Sequence, residues 1–162
     1  MTRFFLAPLI CTLSFVGAAN AAVLTESNIS TADAQKLVTE AIAACQSKGY
    51  NVSAAVVDRA GVLKALARAD NAGPHTIEAS RAKAFTSASA KAPTLAIMEN
   101  AQKNPGAANL TDIPGYLLLG GGVPVKVGDT VIGAIGVAGA PGGNLDAQCA
   151  DEVLAANAAL FK

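Results

Sequence analysis

The apolar positions of this chain switch between helical and strand periods, and the switch points outline its elements. Leu37, Val38, Ala41, Ile42 and Cys45 recur at helical spacing, while Lys36, Glu40 and Lys48 take the opposite face. Ser30 or Thr31 supplies a cap, Asp33 suits the first turn, and Gly49 ends the helix. The apolar run 52–57 reads as a buried strand. A tight turn, Asp58-Arg59-Ala60-Gly61, joins it to a second strand over 62–68. Beyond a breaker-rich turn at 70–74, residues 75–90 are rich in Ala and Ser and read as a helix carrying Glu78, Arg81 and Lys83. Pro93 fits the first turn of a further helix, which reaches about Gln102.

Asn104-Pro105-Gly106 breaks that helix, and a loop runs on to Gly115. Residues 116–119 read as a strand that meets Gly120, Gly121 and Gly122 and continues over 123–127. Gly128-Asp129 is a hairpin turn, 131–138 is the last strand, and a closing helix spans about 145–160. The order helix, hairpin, two helices, hairpin, helix predicts an α/β domain of the α+β type. Its single central antiparallel sheet is flanked by helices, unlike a parallel doubly wound sheet.

The first residues change the picture of where the protein works. Arg3 supplies a positive charge, residues 4–16 are mostly apolar, and Ala19-Asn20-Ala21 offers a small-residue cleavage site. These are the three parts of a secretory signal. The apolar run is too short for a spanning helix, and Pro8 interrupts it. Cleavage after Ala21 leaves residues 22–162 as one domain, periplasmic or secreted, with no membrane span after processing. Cys45 and Cys149 then remain, compatible with either a disulfide or two buried free thiols.

Composition removes whole classes of function. Hydrophobic residues make up 52% of the chain and charged ones 15%, so a packed core is expected and disorder is not. Aromatics are only 4%, Trp is absent, and no basic stripe exists, so no nucleic-acid partner is expected. So many Ala and Gly side chains favour close backbone packing and burial between subunits.

Candidate chemistry is sparse. No dinucleotide G-x-G-x-x-G, P-loop or G-x-S-x-G pattern occurs. His75 is the sole histidine, which excludes a His-rich metal site. It opens a helix beside Arg68, Asp70, Glu78 and Arg81, where it could ligate haem iron or accept a proton. Arg68 and Arg81 could pair with propionates or another small carboxylate. Glycines 120–122 beside Pro124 allow either a close backbone approach to a ligand or a sharp bend.

Several ordered blocks carry a family resemblance. They are Val56-Val57-Asp58-Arg59-Ala60-Gly61, then Ala67-Arg68-Ala69-Asp70, and a helix with an internal K-A-x-T at Lys83-Ala84-Phe85-Thr86. Later come Gly120-Gly121-Gly122-Val123-Pro124, the glycine-spaced stretch 132–140, and Asp146-Ala147-Gln148-Cys149-Ala150. Over nearly all of 24–162 the chain resembles the haem-binding GlcG/HbpS family, which includes the C-terminal domain of PduO-type proteins. The resemblance implies a profilin-like sheet with helices on both sides, homo-oligomers, and, in exported members, haem or iron handling with a sensor-protein partner. It implies a haem pocket of His75 as iron ligand with Arg68, Asp70, Arg81, Gly121 and Gly122, while Tyr50, Tyr116 and Met98 are alternative ligands. The expected function is a binding protein for haem scavenging or redox-stress sensing, with weak haem degradation compatible. Two alternatives stand beside it. One is an enzyme or accessory protein for a small hydroxy acid or aldehyde, held by Arg68 and Arg81. The other is a ligand-free structural oligomer.

Overall fold

The computed structural model describes residues 22–162; the proposed leader, 1–21, lies outside the described residues. Helix α1 (Thr31–Gln46) is capped by Ser30, whose hydroxyl accepts from the Asp33 N–H at 3.0 Å. Strands β1 (Ser53–Asp58) and β2 (Leu63–Arg68) form the first hairpin. Helices α2 (Thr76–Ala90) and α3 (Thr94–Lys103) follow. The second hairpin is β3 (Gly122–Val127) with β4 (Thr130–Ala138), and α4 (Gly143–Ala156) closes the fold. Every pairing is antiparallel, as the element order predicts, and the strands lie in the order β2-β1-β4-β3.

The two sheet faces are filled differently. On one, Leu37, Val38 and Ala41 of α1 meet Ala54, Val56, Ile135 and Val137, and Ala150 and Val153 of α4 complete this core. A Cys45–Cys149 disulfide ties α1 to α4, with the Cα atoms 5.6 Å apart, and resolves the alternative left open by spacing. On the other face, Ala84 and Ala88 of α2 rest on Val57 and Ala134. The approach is close enough that a Cβ on Gly136 would lie 2.1 Å from the Ser80 carbonyl oxygen. The small residues of α2 therefore give backbone-to-sheet packing, so this helix shows no broad apolar stripe.

The expected strand at 116–119 does not form. Its backbone is instead satisfied by side chains of the neighbouring helices. Leu117 N–H donates to Thr86 Oγ1 at 2.8 Å, and Leu119 O accepts from Thr94 Oγ1 at 2.8 Å. With those groups occupied, no ladder is open to it. The segment after Asn104 contains a 3-10 stretch, Pro105–Asp112. The closing helix stops at Ala156, short of the expected 160, and a 3-10 turn at Ala158–Leu160 follows.

Candidate functional site

The period of α2 aligns three residues on one flank. His75, Ala79 and Lys83 stand four apart, and that spacing stacks them along one helix face. Opposite them runs the β4–α4 connection, 139–143, whose three glycines leave little side-chain bulk. The space between is a cleft of about 190 Å³, lined also by Leu119 and Asp146.

Lys83 and Asp146 are buried, with side chains 1% and 3% exposed. Lys83 Nζ donates to Asp146 Oδ2 at 2.7 Å and to the Val137 carbonyl at 3.0 Å. Asp146 Oδ1 accepts the Ala140 N–H at 2.9 Å. Burial pushes the Lys83 ammonium down from its ordinary pKa, and the attraction of Asp146 opposes that shift. Burial likewise pushes Asp146 up, against its ion pair with Lys83 and the backbone N–H bonds it accepts.

The glycines at 121 and 122 belong to this pair. Gly121 has φ +120°, and a Cβ there would stand 2.4 Å from Val137 O, 2.8 Å from Asp146 Cβ and 3.1 Å from Lys83 Nζ. A Cβ on Gly122 would lie 2.3 Å from Lys83 O. Both are buried and make room for Lys83; neither lines the cleft.

His75 sits at the cleft mouth, exposed, at the position that starts α2. Its ring lies over Gly73, where a Cβ would come within 2.7 Å of Cε1, and it caps no backbone N–H of the helix. The other polar residues singled out in the sequence lie outside the cleft. Arg68 Nη1 donates to Ala72 O at 2.7 Å, bracing the loop that leads into His75, and Asp70 is exposed on that loop. Arg81 is exposed and pairs with Glu78 at 2.9 Å. Tyr50 packs against the α1 core, the Tyr116 hydroxyl donates to Ser89 Oγ at 2.9 Å, and Met98 lines a separate hollow.

Sequence reading missed the Lys83–Asp146 pair. The available signal was a lysine on the face of α2 shared with Ser80, Ala84 and Ser87, all of them buried small residues. Its partner, 63 positions away, could not be paired with it from spacing.

An iron porphyrin can be tested against these residues. The cleft is smaller than the roughly 300–1,000 Å³ of pockets that enclose such ligands. It cannot swallow the macrocycle. At its mouth the set does fit: an exposed imidazole free of helix capping, with exposed Leu119 and Pro141 beside the same cleft for the ring to cover.

Comparisons with known proteins agree on one group. The family model described as haem degrading protein HbpS-like matches residues 29–155. Protein GlcG of Escherichia coli strain K12 is 36% identical over 107 residues, covering 64% of this chain and 78% of the relative. The crystal structure of HbpS superposes with a TM-score of 0.79 at 38% identity, over 87% of this chain and 98% of that one. A PduOC:heme complex gives 0.71 at 23% identity, over 80% and 94%, a likeness of fold alone.

Proposed function

This chain belongs to the HbpS-like haem-degrading family, and from that premise we propose that it is an exported haem-binding protein. His75 holds the iron at the mouth of the α2 cleft. The observation that carries this reading is the exposed imidazole of His75, uncapped and seated beside apolar surface. Imidazole is a common axial ligand of haem iron. Leu119 and Pro141 offer ring contacts, while Arg81, two residues beyond Ala79 and so on the opposite side of α2, keeps its surface pair with Glu78. When bound, haem supplies a redox-active iron. The protein's own part would be to hold it through the exposed His75 imidazole at an accessible surface site, which suits scavenging or stress sensing.

Export is supported by the leader pattern at 1–21 and by the Cys45–Cys149 disulfide, since such bonds persist in oxidising compartments. Among the described residues, no helix is long and apolar enough to cross a membrane. A ring seated at an open cleft mouth would be shielded further by a second copy, in keeping with a homo-oligomer. Haemin titration of residues 22–162 tests binding, and N-terminal sequencing of the exported protein tests cleavage after Ala21. A fully intact N-terminus on the exported protein would contradict the leader.

A further inference from the structure

A porphyrin at the cleft mouth leaves the cleft floor unexplained. There, two opposite charges are buried together and a positive-φ glycine, Gly121, makes room for them. An apolar pair of the same volume would serve packing as well or better. What the charged pair adds is a movable proton. Transfer from Lys83 Nζ to Asp146 Oδ2 across 2.7 Å converts ammonium and carboxylate into amine and carboxylic acid without changing net charge. Burial works against the ionised pair, as the downward shift of Lys83 and the upward shift of Asp146 both record.

The cleft opens onto this pair. Its walls are Ala79, Leu119 and the thin loop 139–143, which places no large polar side chain over the floor. The space of about 190 Å³ corresponds to roughly six waters at ~30 Å³ each, room for a molecule of a few non-hydrogen atoms. We propose that Lys83 is a nucleophilic amine that condenses with a small aldehyde or 2-oxo acid in this cleft, with Asp146 as its proton acceptor.

The step balances without an external reagent. Asp146 takes one proton from the Nζ ammonium, and the freed lone pair forms a C–N bond to the carbonyl carbon. The carbonyl π electrons move to oxygen, which receives the proton held by Asp146. The second Nζ proton passes through the same carboxylate to the hydroxyl, which leaves as water as the C=N bond forms. The product is a protonated imine with Asp146 as counter-ion. Desolvation is a known means of activating lysine toward carbonyls. The chemistry asks nothing of His75 or of iron, so it stands or falls apart from the haem reading.

The test uses residues 22–162 without haemin, incubated with pyruvate or acetaldehyde and sodium cyanoborohydride, followed by intact mass and peptide mapping. The expected result is one saturable reduced adduct, on Lys83, forming at least tenfold faster than at half-buried Lys64 or exposed Lys91. Asp146→Asn should slow it at least tenfold with the circular dichroism spectrum retained. If that variant fails to fold, the wild-type map still decides. Modification confined to surface lysines, or absent with both probes, overturns the proposal.

Discussion

Lys83 and Asp146, 63 positions apart in sequence, meet at 2.7 Å and tie the middle of α2 to the first turn of α4. Removing one partner leaves a buried charge unopposed. Lys83→Met should therefore cost about 3–5 kcal/mol, and Lys83→Met with Asp146→Leu should recover most of that loss. Urea unfolding of the single and double variants measures both. A single variant as stable as wild type would mean that water reaches the pair freely.

The same pair gives stability an unusual pH profile. Asp146 is pushed up, so the stability its protonated form contributes is full below the ordinary carboxyl range and is lost as pH rises through its raised value. Lys83 is pushed down, so the contribution of its neutral form is full above the ordinary lysine range and is lost as pH falls through its lowered value. Wild type minus the double variant should be least favourable between those two windows, where the ionised pair bears the burial cost. Chemical denaturation at acid, neutral and alkaline pH checks this, and a maximum in the middle would reverse the assignment.

Gly136 lies directly under α2. A Cβ there would stand 2.1 Å from Ser80 O and 2.6 Å from Ala84 N, both of them backbone atoms that cannot step aside. Gly136→Ala should cost about 1–3 kcal/mol or more through displacement of the helix. Gly128→Ala, with open space but φ +55°, should cost only about 1 kcal/mol of left-handed strain. Thermal melts of the two variants compare them, and equal losses would show that α2 can slide.

The Cys45–Cys149 bond closes a span of 104 residues. Replacing both cysteines with serine should lower stability by about 2–5 kcal/mol. Unfolding in urea reads the loss. An unchanged midpoint would mean that α1 and α4 are held by packing alone.

Local signals carried most of the fold. The Ser30 cap, the Asp58–Gly61 turn and the Gly128-Asp129 turn each rest on neighbours in sequence, and each stands where expected. Residues 116–119 failed because their partners, Thr86 and Thr94, are brought in by tertiary packing that no local pattern records. The site divides in the same way. His75 announces itself as a lone histidine at a helix start, whereas Lys83 looks like an ordinary helix cation until its burial is known. Gly121 and Gly122 stood out as a glycine run, yet what crowds them is Lys83, Val137 and Asp146, from two other elements and the end of β4.

Binding of haem iron by His75 can be read directly in solution. Haemin is titrated into residues 22–162 and into His75→Ala, with the Soret band followed to saturation. The wild type should give a saturable, stoichiometric shift, and the variant should bind at least tenfold more weakly, about 1.4 kcal/mol. Equal affinity in the two proteins would remove His75 from the site, and a weak, non-saturating response from the wild type would contradict haem binding itself.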